Sequence, residues 1–437
     1  MIAYRYLPMC LFALLAVALL MMTLFWQIPM MLWDHLNLVP MLEAWQQGQL
    51  AHSAIFKFDG HGGHMHTAAY AILLVDAQLT SGRPWLDGVI SWALLVASAA
   101  LLFGFIRDSF SEATRGQHPW LVAMLVCLAL YPGHLANLQW GWQVAVFLCL
   151  LGVIGAIHAL TRPRLSWSNN GIALVGAALA FFSFATAIAI FPIALLLLAL
   201  HRDESLRKRM LMALPWVVAC IALVAVYLRF MSASMAHDIP TEIHYGLNFL
   251  GAGISRFATD TAACLAIAGI TLAGWLAWRQ WRTLDSLPWI GRMLFGLLSG
   301  MLVTLARASD WGADQAFASR YVSFSILFWL GLFALLSRAY MACASRRLLA
   351  ALVVISVFAC GNAFQLIHRA QKVSARTHAT ASTIRATWPH VNSTILNKIY
   401  FGNAPVAYQR LGKLHAWGYA PFGDKSVPTP PDHRDPK

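Results

Sequence analysis

At 437 residues, 59% hydrophobic and only 11% charged, the chain is too apolar for a water-soluble domain. A net charge of +13 would suit a nucleic-acid partner, but the basic residues sit in short clusters that alternate from loop to loop, which excludes a continuous basic surface. All seven cysteines fall in or at the ends of apolar runs with no CxxC pair, so neither a disulfide framework nor a cysteine metal site is suggested.

The first apolar run, Leu7 to Leu32, is too long for a signal-peptide core and lacks a small-residue cleavage site, so an anchoring helix is expected. Further runs of about 18 or more apolar residues follow. Together with charge bias they predict eleven spans, near 7–30, 85–106, 119–134, 140–160, 170–185, 187–200, 210–230, 258–279, 289–307, 320–341 and 347–366. Fifteen basic residues occupy every second loop, among them Arg107, Arg162, Arg207, Arg279, Arg292 and Arg338, the signature of cytoplasmic loops. The N-terminus is then cytoplasmic and the C-terminus periplasmic. As one helix, 171–200 would reach about 45 Å, longer than a hydrocarbon core of about 30 Å, and would put one of its basic flanks on the wrong side. Two short helices turning near Ser183–Thr186 meet both constraints.

The expected organisation is an all-α polytopic membrane domain over 1–366, with an external loop at 31–84, and an extracytoplasmic segment over 367–437. That segment mixes Trp388, Ile395, Leu396, Ile399, Tyr400 and Leu411 with polar residues, as a small cap would, and ends in a Pro-rich run expected to be disordered. Cytoplasmic loops are too short for a nucleotide-binding domain, and no phosphate-loop or dinucleotide glycine motif is present.

The polar stretch from Trp33 to Asp87 carries five of the sixteen histidines. Asp34, directly after the first span, reads as a general base or metal ligand, or as a capping residue solvated at the interface. Asp59, His61, His64 and His66 offer a divalent metal site, hydrogen bonds to substrate oxygens, or an idle loop; no defined zinc spacing is matched. From His66 to Thr80 an amphipathic helix places His66, Tyr70, Asp76 and Thr80 on one arc, opposite Ala68, Ile72, Leu74, Val75 and Leu79. It is too short to span, so it lies along the interface, its polar edge facing either a cavity or bulk water. Tyr131 to Gln143 joins two spans through an aromatic, amide-rich turn; Asn137 and Gln143 suit sugar hydroxyls, while Trp140 and Trp142 read as aromatic-belt anchors. Arg307 and Arg320 flank the external loop 308–319, placed for a phosphate at headgroup depth, for lipid snorkelling, or for pairing with Asp310 or Asp314.

Charged residues are absent from the centres of the expected spans, which argues against an ion-coupled transporter or flippase. A non-catalytic assembly subunit would have no use for the aspartate and histidines. In layout the chain resembles the C-type (GT-C) membrane glycosyltransferases. The likeness rests on Trp33-Asp34-His35, on Gly63-His64 followed by Tyr70 to Asp76, on Asn137 to Gln143, and on Ser319-Arg320-Tyr321. His35 stands where many relatives have a second acidic residue, so a paired-carboxylate metal site is not evident. The resemblance implies a bacterial inner-membrane enzyme that moves a sugar from a polyprenyl-phosphate donor to lipopolysaccharide, another envelope glycan or an exported protein such as a pilin. It casts Asp34 as the base, Arg320 with Arg307 as the phosphate site, and His35, His64, His66, Tyr70, Asn137, Gln143 and Tyr321 as substrate contacts.

Overall fold

The computed structural model describes residues 2–50, 66–110, 116, 118–230 and 237–423. Among these all regular secondary structure is helical, and eight helices are long and apolar enough to cross a membrane. This is the architecture of a polytopic membrane protein.

Helix α1 (Ile2–Phe25) stops short of the expected residue 30. Pro29 disfavours helix at Ile28, whose N–H instead donates to the Gln139 carbonyl at 3.0 Å. A 3-10 turn (Trp33–Asn37) and α2 (Leu38–Gln46) follow. The expected interfacial helix is α3 (Thr67–Thr80), and α4 (Trp85–Ser109) is the next candidate span. Then come α5 (Pro119–Ala129), a short aromatic turn, and α6 (Val144–Leu160). The stretch expected as a hairpin is indeed two helices, α7 (Trp167–Phe181) and α8 (Ile190–Leu200), broken at Phe182–Phe184. The break frees two carbonyls, and both are taken up by the start of α3. Ala68 N–H donates to Phe182 O at 3.0 Å and His66 Nδ1 lies 2.8 Å from Ser183 O.

After α9 (Leu206–Phe230) and the amphipathic α10 (Ile239–Gly251) come three candidate spans, α11 (Thr259–Gln280), α12 (Leu287–Trp311) and α13 (Ser319–Cys343). Helix α13 is the axis of the molecule, buried at every residue from Tyr321 to Ser337. It packs closely on α12 because residue 331 is glycine: a Cβ there would lie 2.5 Å from the Trp289 carbonyl oxygen. Arg292, grouped by sequence with a cytoplasmic loop, instead lies inside α12. It is fully buried, its guanidinium 4.0 Å from the Phe105 ring centroid and 5.2 Å from that of Trp289.

The last long helix differs most from expectation. A span at 347–366 was predicted to give way to a separate tail, yet α14 (Arg346–Thr387) runs unbroken for 42 residues, about 63 Å at 1.5 Å per residue. No proline interrupts it before Trp388-Pro389, and the buried positions Leu366, Ala370, Ser374, Thr377, Ala381 and Ile384 recur at helical spacing beyond the expected end. The extension carries α15 (Ser393–Ile399) and α16 (Ala404–Ala416) back over the first polar loop. Residues 424–437, which contain the whole Pro-rich run, lie outside the described residues.

Candidate active site at one end of the bundle

The turn carrying Asp34 is held in an unfavourable backbone shape. Trp33 has φ of +54°, a left-handed conformation that a bulky side chain adopts at a cost of about 1–3 kcal/mol. Its neighbours enforce it: the Trp33 indole donates to the Lys398 carbonyl at 3.1 Å and meets Trp140 edge-on at 5.2 Å. Two residues after Asp34's neighbour His35, Asn37 accepts from Tyr400 Oη at 2.8 Å and from Arg410 at 2.6 Å. Glu43 on α2 is paired with Lys413. The C-terminal cap therefore clamps the loop that presents Asp34, itself only half-buried.

Behind Asp34 lies a buried polar group. His35 Nε2 is 3.6 Å from Asp87 Oδ2, and both residues are buried. Burial pushes the His35 pKa down to about 3, the negative charge of Asp34 opposing this in part. The contact is thus a neutral imidazole facing a carboxyl group rather than an ion pair. Asp76 on α3 meets the Asp87 carboxyl within hydrogen-bonding reach, and burial raises its pKa. Two buried carboxyls in contact repel strongly when both are ionised. The aromatic turn closes over Asp87 only because residue 141 is glycine, since a Cβ there would fall 2.3 Å from Asp87 Oδ2.

That turn corrects the reading of its tryptophans. Trp140 and Trp142 are buried, not lipid-facing belt residues. Trp142 is enclosed by His35, His66 and Tyr70, with ring centroids 6.4, 5.4 and 5.6 Å away. The polar arc of α3 turns inward accordingly: His66, Tyr70 and Asp76 are buried, while Val75 and Leu79 on the opposite face are exposed. Leu74, assigned by sequence to the apolar outer face, is buried instead.

Arg320 is close enough for the Asp34 charge to act on it. Arg320 also interacts with Tyr321, its guanidinium 4.9 Å from the ring centroid. Tyr245 on α10 completes this group, which sequence reasoning missed. Its hydroxyl donates to Gln315, whose amide lies 3.5 Å from Tyr321 Oη. Burial raises the Tyr245 pKa, with Tyr321 adding to the effect and the charges of Arg320 and Arg307 opposing it. The amphipathic spacing of Ile239–Gly251 was the signal that could have found it. Beside Tyr245, helices α10 and α12 enclose an apolar groove of about 320 Å³ lined by Ile243, Leu247, Leu297, Met301 and Leu305, two residues from Arg307.

Arg320 thus links the charge of Asp34 to Tyr321 and Tyr245, with Arg307 acting on Tyr245, while His35, His66 and Tyr70 gather around Trp142. Asn137 is fully buried and tied to α13, donating to Ser323 Oγ at 2.7 Å and Ser319 O at 3.3 Å; His134 Nδ1 lies 2.8 Å from the same hydroxyl. Gln143 is buried in the aromatic turn. Asp59, His61 and His64 lie outside the described residues. Among the described residues, no three His, Cys, Asp or Glu side chains are grouped so as to hold a metal ion. No family model, curated protein or solved structure matches the chain.

Proposed function

We propose that the protein is an inverting membrane glycosyltransferase that takes its sugar from a polyprenyl-phosphate donor. The observation that carries this reading is that the Asp34 carboxylate acts electrostatically on Arg320, a carboxylate and a guanidinium from opposite halves of the sequence. Asp34 is exposed enough to reach a substrate and accepts the proton of an acceptor hydroxyl as its oxygen attacks the anomeric carbon. The bond from that carbon to the phosphate oxygen breaks, and the lipid phosphate leaves with the electron pair. Arg320, with Arg307, neutralises the charge that grows on it. The apolar groove ending near Arg307 supports a donor with a hydrocarbon tail.

The acceptor is extracytoplasmic: lipopolysaccharide, another envelope glycan or an exported protein such as a pilin. In this reading α7, the segment Ala185–Leu200 and α9 join the eight longer apolar helices to make eleven crossings of a bacterial inner membrane. The N-terminus is cytoplasmic and the C-terminal cap periplasmic. The test is transfer in proteoliposomes from a panel of synthetic polyprenyl-phosphate sugars. Asp34→Asn is expected to abolish transfer while the folded protein is retained in full yield; normal glycosylation by that variant removes the assignment.

A further inference from the structure

Among the described residues Arg256 is a buried cation with no carboxylate paired to it. It lies in the turn between α10 and α11, 6% exposed. Its Nε donates to the Phe317 carbonyl at 2.7 Å, but its Nη1 is buried with no hydrogen-bond partner. The charge acting on it is that of a second cation, Arg369 on α14. Both guanidinium groups flank one ring, lying 5.9 Å (Arg256) and 6.0 Å (Arg369) from the Phe257 centroid. Among the described residues neither arginine forms an ion pair with a carboxylate. Burial and Arg369 push the Arg256 pKa down to about 10, which still leaves it charged at neutral pH. Burying a charge beside a like charge, with an N–H unmet, is costly unless an anion completes the arrangement.

The position indicates where such an anion comes from. Arg369 adjoins Ala370, whose carbonyl is within 3.4 Å of Gln139 Nε2 in the aromatic turn, so the pair sits where several candidate spans end. Phe257 is exposed, offering an apolar ring between two cations. That is the chemistry of a lipid headgroup boundary, where acyl chain and phosphate are a few ångströms apart. The cradle is also rigid. The Arg256 N–H donates to Asn362 Oδ1 at 3.0 Å, and Asn362 Nδ2 in turn donates to Tyr131 Oη at 2.9 Å.

We propose that Arg256 and Arg369 form a second anion site, built from residues other than Asp34 and Arg320, that binds the phosphate of a membrane lipid headgroup. Arg256 supplies a fixed, desolvated N–H, Arg369 closes the phosphate from the open side, and Phe257 contacts the first acyl carbons. The site needs only the membrane setting and does not depend on glycosyl transfer.

The test is native mass spectrometry of the full-length protein with dioleoylphosphatidylglycerol and with dioleoylglycerol, which has no phosphate. One phosphatidylglycerol should be retained and no dioleoylglycerol. Arg369→Gln, at an exposed position that tolerates replacement, should weaken retention about tenfold, and Arg369→Lys should restore part of it. Equal retention of the two lipids, or unchanged retention in Arg369→Gln, would overturn the proposal. Inorganic phosphate is the second arm. If it raises the thermal midpoint of the wild type but not of Arg369→Gln, while phosphatidylglycerol is not retained, the lipid source is wrong and a soluble phosphate is the ligand.

Discussion

His35 Nε2 lies 3.6 Å from Asp87 Oδ2, joining the turn that carries Asp34 to the first turn of a membrane-spanning helix. The imidazole is neutral, so the contact works by fixing geometry rather than by charge. Asp87 is pinned from three sides, by His35, by Asp76 and by the backbone at Gly141. Gly141→Ala should therefore destabilise the protein by about 1–3 kcal/mol, the usual cost of overpacking a tight core. Asp87→Asn keeps the shape and should cost less than Gly141→Ala. Thermal unfolding in detergent orders the two variants, and an Asp87→Asn protein less stable than Gly141→Ala would contradict this account.

Acid should weaken the fold through His35. Its pKa falls from 6.5 to about 3 on folding, so between those values the unfolded chain binds a proton that the folded chain excludes. Stability from this residue is intact above 6.5 and declines as the pH drops through the window. From pH 7 to pH 5 the wild type should lose about 2 kcal/mol more than His35→Gln. Denaturant titrations of both proteins at the two pH values measure it.

The clamp from the C-terminal cap should be separable from the membrane bundle. Arg410→Ala removes one of the two donors to Asn37 and should cost about 1–3 kcal/mol. Hydrogen exchange is expected to quicken over 33–47 while α12 and α13 stay protected. Uniform loosening of all helices would show that the cap is not a local brace.

The two arginines at the proposed phosphate site should differ in weight. Arg320 is within reach of the Asp34 charge, whereas Arg307 acts on Tyr245. Arg320→Gln should lower kcat/KM for a lipid-phosphate donor by about a hundredfold, and Arg307→Gln by about tenfold. Kinetics across donor concentrations decide it; an Arg307 defect larger than that of Arg320 would reverse the roles.

Much of this was legible because membrane sequences write their helices in long apolar runs. The helical break at 182–184 followed from length and the two basic flanks, while the 100° spacing of α3 marked its polar arc and the structure turned that arc inward. The companions of Asp34 were less visible. Asn37 meets Arg410 across more than 370 residues, and no local pattern announces such a contact. Trp142 was misread because an aromatic beside a span has two homes, lipid interface and protein interior, and only the packing of His66 and Tyr70 decides between them. The far half of α14 was missed because its buried stripe runs mostly through Ala370, Ser374, Thr377 and Ala381, small residues that signal a span weakly.

The long reach of α14 has a consequence for biosynthesis. The backbone kink at Trp33 is braced by Lys398, and Asn37 by Tyr400 and Arg410, so synthesis must pass residue 410 before the first loop can close. Until then the Asp34 turn lacks the bonds that brace it. A chain cut off before Lys398 would keep its long apolar helices but lack the residues that brace that turn.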